Sequence, residues 1–208
     1  MSTAKIKICG LTTAADARLA VSLGADYVGV IFAESPRRIS VARAKEIRAA
    51  VSSAALVGVF RDQSLADVAD AARACDLDLV QLHGCEHPGY CDEVLQRAGK
   101  PVVKAFRALR VPRPDELASF ATTSYFLFDY DDDAARGDAA RDDAWDDVAI
   151  VRRLGFRMFV AGGIDASNVR AILSRTGAFA VDVCRGVESA PGVKDPLAME
   201  RFMVEARA

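Results

Sequence analysis

The residues that could do chemistry in this chain fall at the ends of short apolar runs, or in the loops just beyond them. Cys9 closes the run Lys5-Ile-Lys-Ile-Cys9 and is followed by glycine and a helix-capping threonine. A thiol placed there reads either as a reactive group or as a small buried hydrophobe, the usual state of a free cysteine. His83 ends Leu79–His83, Asp129 ends Tyr125–Asp129, and Gly162-Gly163 follows Arg157–Ala161. Phe179–Val183 carries Asp182 and leads into Cys184, Arg185 and Gly186. Ser35-Pro-Arg37-Arg38 fixes two guanidinium groups behind a proline; one suits a bidentate contact with a carboxylate, and the other reads as surface charge. Glycine turns at helix N-termini leave backbone N–H groups free for an anion, so the two in adjacent units point to a phosphate ligand. His83 reads as a group that binds or orients a neighbour, and His87 as helix surface.

Those positions only converge if the elements bring them to one face. Apolar runs at Lys5–Cys9, Tyr27–Phe32, Leu56–Phe60, Leu79–His83, Val102–Phe106, Tyr125–Asp129, Arg157–Ala161 and Phe179–Val183 alternate with amphipathic stretches such as Ala14–Leu23, Val41–Val51, Leu65–Cys75 and Asn168–Ser174. Arg113–Phe120 is weaker, a turn or two of helix. Near-continuous apolar strands indicate a parallel sheet covered on both faces. Eight strand–helix units indicate an α/β protein forming a single (β/α)8 TIM barrel over residues 1–208, with a doubly wound open sheet as the alternative. In such a barrel the ligand site lies at the C-terminal ends of the strands, where all the residues above collect.

Strand alternation adds an internal expectation. If Cys9 faces the site, Lys7 shares its side and points into the barrel, where an ammonium needs an anionic partner. Strands one and eight are neighbours in a closed barrel, so Asp182 is the expected partner, and the ammonium should raise the thiolate fraction of Cys9.

The stretch Asp129–Asp147 breaks the rhythm with nine aspartates. It reads as a long acidic loop leading into a helix near Asp146. Asp129, Asp131 and Asp133 suggest a calcium loop, but Ala134 and Ala140 stand where the required glycine and glutamate would be, so no metal is expected.

Composition bounds the partners. A net charge of -2 gives no reason to expect nucleic acid or an anionic membrane, and no run is apolar enough to span a bilayer. The segment MSTAKIKICG lacks the apolar core of a signal peptide. Five cysteines without metal-type spacing fit free thiols in a reducing cytoplasm.

The chain resembles the phosphoribosylanthranilate isomerase family through an ordered set of motifs. They are Lys7-Ile-Cys-Gly-Leu-Thr12, Asp16-Ala17, Gly24-Ala-Asp26, Ser35-Pro-Arg37, Val57-Gly-Val-Phe60, Gln81-Leu-His-Gly84 and Leu127-Phe-Asp129. Ala161-Gly-Gly-Ile164 with Asn168-Val169, Val181-Asp-Val183 with Gly186-Val-Glu-Ser189, and Pro191-Gly-Val-Lys-Asp195 complete it. The resemblance implies an Amadori rearrangement of N-(5′-phosphoribosyl)anthranilate in tryptophan biosynthesis, without a cofactor. It implies Asp129 as general acid, Cys9 as general base, Arg37 on the anthranilate carboxylate, and the turns at Gly162-Gly163 and Cys184–Gly186 on the phosphate. It leaves the enzyme a monomer or a homodimer. Two departures stand out: the loop after Asp129 retains only Gly137 and Trp145 of the family pattern, and Cys184-Arg185 replaces the usual Ser-Ser. A paralogue acting on a different aminoaldose phosphate, and a non-catalytic barrel that binds a phosphate ligand, are the other functions these residues allow.

Overall fold

Eight parallel strands close into a barrel in sequence order in the computed structural model, which describes residues 4–130 and 137–208. They are β1 (Lys5–Ile8), β2 (Tyr27–Ile31), β3 (Ala55–Phe60), β4 (Leu79–Leu82), β5 (Val102–Arg107), β6 (Tyr125–Asp129), β7 (Met158–Ala161) and β8 (Ala180–Val183). The helices are α1 (Ala14–Ser22), α2 (Val41–Ala50), α3 (Leu65–Ala74), α4 (Pro88–Ala98), α5 (Pro114–Ala118), α6 (Gly137–Arg153), α7 (Val169–Thr176) and α8 (Pro196–Arg207). The open-sheet alternative is excluded by the pairing of β1 with β8, which sets Lys5 opposite Ala180 and Ile8 opposite Val183.

The strand pleat sorts side chains into two cores. Outward residues such as Ile6, Ile8, Val28 and Val181 meet the helices, while Val57, Leu79, Val103, Leu127, Phe159 and Ala180 fill the interior. Tyr27, Tyr125 and Phe179 pack edge-on or stacked around Phe159 and its neighbours, plugging the end of the barrel where the strands begin. The opposite end is left to polar side chains.

Several boundaries differ from those read in the sequence. Cys9 and His83 lie one residue past β1 and β4, and Arg157 and Phe179 precede their strands. The acidic segment was expected to reach a helix only near Asp146, but α6 already begins at Gly137. Asp131 and Asp133, on which the calcium reading turned, lie outside the described residues. His87 is exposed, as expected, but it stands at the N-cap of α4, its Nδ1 accepting the Tyr90 amide at 3.2 Å. A short hairpin, β9 (Glu188–Ala190) with β10 (Val193–Lys194), follows β8 and was not anticipated.

Candidate active site

Ten of the residues singled out in the sequence line one cavity of about 340 Å³ at the C-terminal mouth of the barrel: Cys9, Arg37, His83, Asp129, Gly162, Gly163, Asp182, Cys184, Arg185 and Gly186. A wider cleft of about 1050 Å³ opens beside it over β3, β4 and β5 and shares His83 and Asp129 with it.

A single polar chain crosses the mouth. Lys7, fully buried, donates to Asp182 Oδ2 at 2.6 Å and to Gln81 Oε1 at 2.9 Å. Gln81 Nε2 lies 3.1 Å from His83 Nδ1, and His83 Nε2 lies 3.1 Å from Asp129 Oδ2. Proton positions follow from donor logic. An ammonium has no acceptor, so Gln81 must turn its oxygen to Lys7 and its NH2 to His83. His83 Nδ1 therefore accepts, and its proton sits on Nε2 and is donated to Asp129. The arrangement leaves Asp129 Oδ2 occupied as an acceptor and Oδ1 toward the Gly162 turn, where a β-carbon on Gly162 would lie 2.3 Å from it.

The Lys7–Asp182 pair expected from alternation and strand adjacency is present. Burial alone would discharge Lys7, but the Asp182 carboxylate and the Cys9 sulfur more than offset it and hold the ammonium above its ordinary range. Asp182 is pushed up to about 7 by burial, with the Lys7 ammonium working against that shift. Its Oδ1 is buried without a hydrogen-bond partner.

Cys9 is held well below the ordinary thiol range, first by a hydrogen bond from Cys184, then by the ammonium groups of Lys7 and Lys194, all against the effect of burial. Gly29 makes room for it, since a β-carbon there would lie 2.8 Å from the Cys9 sulfur. Methionine at position 7 is therefore expected to move the pH profile of Cys9 alkylation by iodoacetamide to higher pH; an unshifted profile would remove Lys7 from the account of this thiol.

Arg37 does form a bidentate contact with a carboxylate, but the carboxylate is the chain's own. Its Nε lies 2.8 Å from Glu188 Oε1 and its Nη2 2.6 Å from Oε2. Glu188 also accepts from Lys194 Nζ at 2.9 Å, and these two cations keep its carboxyl below the usual range despite burial. Lys194 in turn reaches the Cys184 carbonyl at 3.1 Å. Arg38 stays largely exposed near Glu34, as surface charge should.

The turn after β7 depends on glycine. Gly162 has φ +91°, and a β-carbon there would meet the Tyr130 carbonyl oxygen at 2.0 Å. Gly162→Ala is expected to cost roughly 1–3 kcal/mol in stability, seen as a lower Tm, and to weaken phosphate-ligand binding at this turn; unchanged melting would mean that Tyr130 can move aside. The segment Asp165-Ala-Ser-Asn168 leads from this turn into α7. Asn168 stands at the cap position, but its side chain makes no capping bond; its Nδ2 donates to the Gly163 carbonyl at 2.9 Å, so it braces the turn instead.

Three residues of this site were not singled out from the sequence: Gln81, Glu188 and Lys194. Gln81 shares the inward parity of Leu79, which was a readable signal. Glu188 and Lys194 arrive on the hairpin, which no periodicity announces.

Known proteins share the sequence and the fold of this chain. Residues 6–205 match the family model described as N-(5′-phosphoribosyl)anthranilate (PRA) isomerase. The N-(5′-phosphoribosyl)anthranilate isomerase of Citrifermentans bemidjiense is 41% identical over 205 residues, covering 98% of this chain and 97% of that protein. The enzyme of Halorhodospira halophila is 38% identical, covering 97% and 95%. The crystal structure of phosphoribosyl anthranilate isomerase from Thermotoga maritima superposes with a TM-score of 0.84 at 30% identity over 98% of both chains. A phosphoribosyl anthranilate isomerase crystallised with reduced 1-(o-carboxyphenylamino)-1-deoxyribulose 5-phosphate gives a TM-score of 0.82 at 30% identity over 98% of both.

Proposed function

Because this chain belongs to the N-(5′-phosphoribosyl)anthranilate isomerase family and carries out that isomerisation in tryptophan biosynthesis, we propose that Cys9 is its general base and Asp129 its general acid. The observation that carries the assignment is the joint placement of a thiol held well below its ordinary range and a hydrogen-bonded carboxyl group in one cavity.

The reaction converts the aminoaldose N-(5′-phosphoribosyl)anthranilate to 1-(2-carboxyphenylamino)-1-deoxyribulose 5-phosphate. Asp129, protonated on Oδ1, gives that proton to the ribose ring oxygen while Oδ2 keeps the hydrogen bond from His83. The ring opens to a Schiff base. The Cys9 thiolate removes the proton at C2′, and the enolamine tautomerises to the ketone. Acid and base positioned on the substrate account for both proton transfers. His83 is a positioning residue here: its tautomer, set through Gln81 by Lys7, orients Asp129.

Substrate is held by the rest of the cavity. The turns at Gly162-Gly163 and Cys184–Gly186 take the phosphate through backbone N–H groups, and the exposed Arg185 adds positive charge beside it. Asp182 Oδ1, buried and unpartnered, offers an acceptor to a ribose hydroxyl. Arg37 faces the anthranilate carboxylate with the part of its guanidinium that Glu188 leaves open. Two of its nitrogens already hold Glu188, so the substrate meets a guanidinium whose orientation is fixed.

The test is the loss of anthranilate-type fluorescence with the authentic substrate. Wild-type protein should turn it over, and Cys9→Ser and Asp129→Asn should not. A wild type that binds phosphorylated product analogues but leaves the fluorescence unchanged would overturn the assignment.

A further inference from the structure

Cys184 stands beside the proposed base in the same cavity. The parallel register pairs Lys7 with Asp182 and Ile8 with Val183, and the Cys9 amide donates to the Val183 carbonyl at 2.8 Å, so Cys9 and Cys184 each follow the last paired residue of two adjacent strands. Neighbouring strands lie about 4.7–4.9 Å apart, inside the roughly 4.4–6.8 Å range of Cα separations that a disulfide bridges. Both thiols line the same cavity, so a small oxidant that enters it reaches both; the Cys184 thiol lies 3.8 Å from Glu188 Oε1. Lys194 places its ammonium 3.9 Å from the Cys184 sulfur. The other described cysteines are set apart: Cys75 and Cys91 are buried in the helix layer, and Cys85 is exposed in the loop after β4.

We propose that Cys9 and Cys184 form an oxidative modification site, in which a hydroperoxide converts the pair to a reversible disulfide and suspends turnover. The chemistry balances in two steps. Cys9, as the thiolate, attacks one peroxide oxygen; the O–O bond breaks, the sulfur is oxidised to the sulfenic acid, and the departing alkoxide or hydroxide takes a proton. Cys184 then attacks that sulfur; the S–S bond forms, the S–O bond breaks, and the hydroxide leaves as water with the proton Cys184 gives up. In sum, two thiols and one hydroperoxide give a disulfide, an alcohol (or water) and a water.

The electrostatics favour this order. Cys184 is held far above the ordinary thiol range, first because it donates its hydrogen to Cys9, then by burial and by the negative charge on Cys9, with Lys194 pulling the other way. Oxidation of Cys9 to a neutral sulfenic acid removes both of the contributions made by Cys9. Lys194 then favours the Cys184 thiolate beside an electrophilic sulfur, with the Glu188 carboxylate 3.8 Å away opposing it. Cys184 thereby intercepts the sulfenic acid before a second peroxide carries Cys9 to the irreversible sulfinic acid.

Formation of the cross-link does not depend on the assigned reaction; only its effect on turnover rests on Cys9 being the base. The experiment uses the full chain with Cys85→Ser, to remove the exposed thiol, treated with hydrogen peroxide. Peptide mapping after alkylation should find the β1 and β8 peptides joined through Cys9 and Cys184, with the mass of two hydrogens lost. Activity should fall close to zero and return with dithiothreitol. With Cys184→Ser added, and each protein normalised to its own untreated activity, peroxide should leave Cys9 as the sulfinic acid and dithiothreitol should restore little. Sulfinic acid at Cys9 without the joined peptide, in the protein that retains Cys184, would overturn the proposal. So would equal recovery with and without Cys184. Because the joined peptide is read by mass, a failure of the isomerase assignment leaves that result standing and distinguishable.

Discussion

Replacing Cys9 by serine is expected to lower kcat by roughly 10²–10⁴-fold, the usual contribution of a positioned general base, while KM changes little. The exchange is nearly isosteric and fits the space that Gly29 leaves, so binding and folding should survive it. What is lost is the anion. The environment that ionises a thiol here is a hydrogen bond from Cys184 together with two ammonium groups, and it is far too weak to ionise a hydroxyl. Asp129→Asn should give a loss of similar size by a different route: the amide keeps the contact with His83 by turning its oxygen to Nε2, but it has no proton to give the ring oxygen. Steady-state fluorescence kinetics with a parallel thermal melt check both. A Cys9→Ser enzyme that keeps its kcat, or that loses activity only through KM, would assign the base elsewhere.

The barrel and the mouth of the site were legible because both follow from alternation. Strand parity alone places Lys7, Cys9 and Asp182 inside, and closure of β1 on β8 then makes the Lys7–Asp182 contact necessary, since no other inward carboxylate lies on a neighbouring strand. Arg37 was legible as a residue that grips a carboxylate; the internal carboxylate it grips was not. Glu188 reaches it from a two-stranded hairpin too short to show a period, and a sequence gives no distance between residues 37 and 188. The early start of α6 was missed for another reason. A run rich in aspartate reads as loop because aspartate is a poor helix former in mid-helix, yet acidic residues near a helix N-terminus are favoured by its dipole, and the interspersed alanines propagate the helix. Downstream, Ala144, Trp145 and Val148 bury one face of it, an i, i+1, i+4 pattern that was present in the sequence but masked by the charges around it.

Lys7→Met is expected to destabilise the fold by roughly 3–5 kcal/mol, the cost of leaving one member of a buried ion pair without the other. Lys7 is fully buried and is the hydrogen-bond partner of Asp182 Oδ2; Asp182 Oδ1 has none. Removing the ammonium also removes the donor that orients Gln81, so the relay to His83 loosens at its base. The deficit should depend on pH with a definite sign. Asp182 already sits at about 7, above the ordinary value of about 3.9, because burial outweighs the pull of Lys7. Without that pull its folded-state value rises further. A carboxyl group raised on folding costs nothing below its unfolded value and destabilises progressively as pH climbs through its folded one. The variant should therefore lie closest to wild type near pH 4 and fall away toward pH 8. Adding Asp182→Leu should recover most of the lost stability, since an apolar pair of similar volume needs no counter-charge. Urea melts of the two single variants and the double variant at both pH values form the cycle that tests this. A double variant no more stable than Lys7→Met at pH 8 would mean that the cost lies in packing around the lysine stem, with the stranded carboxylate contributing little.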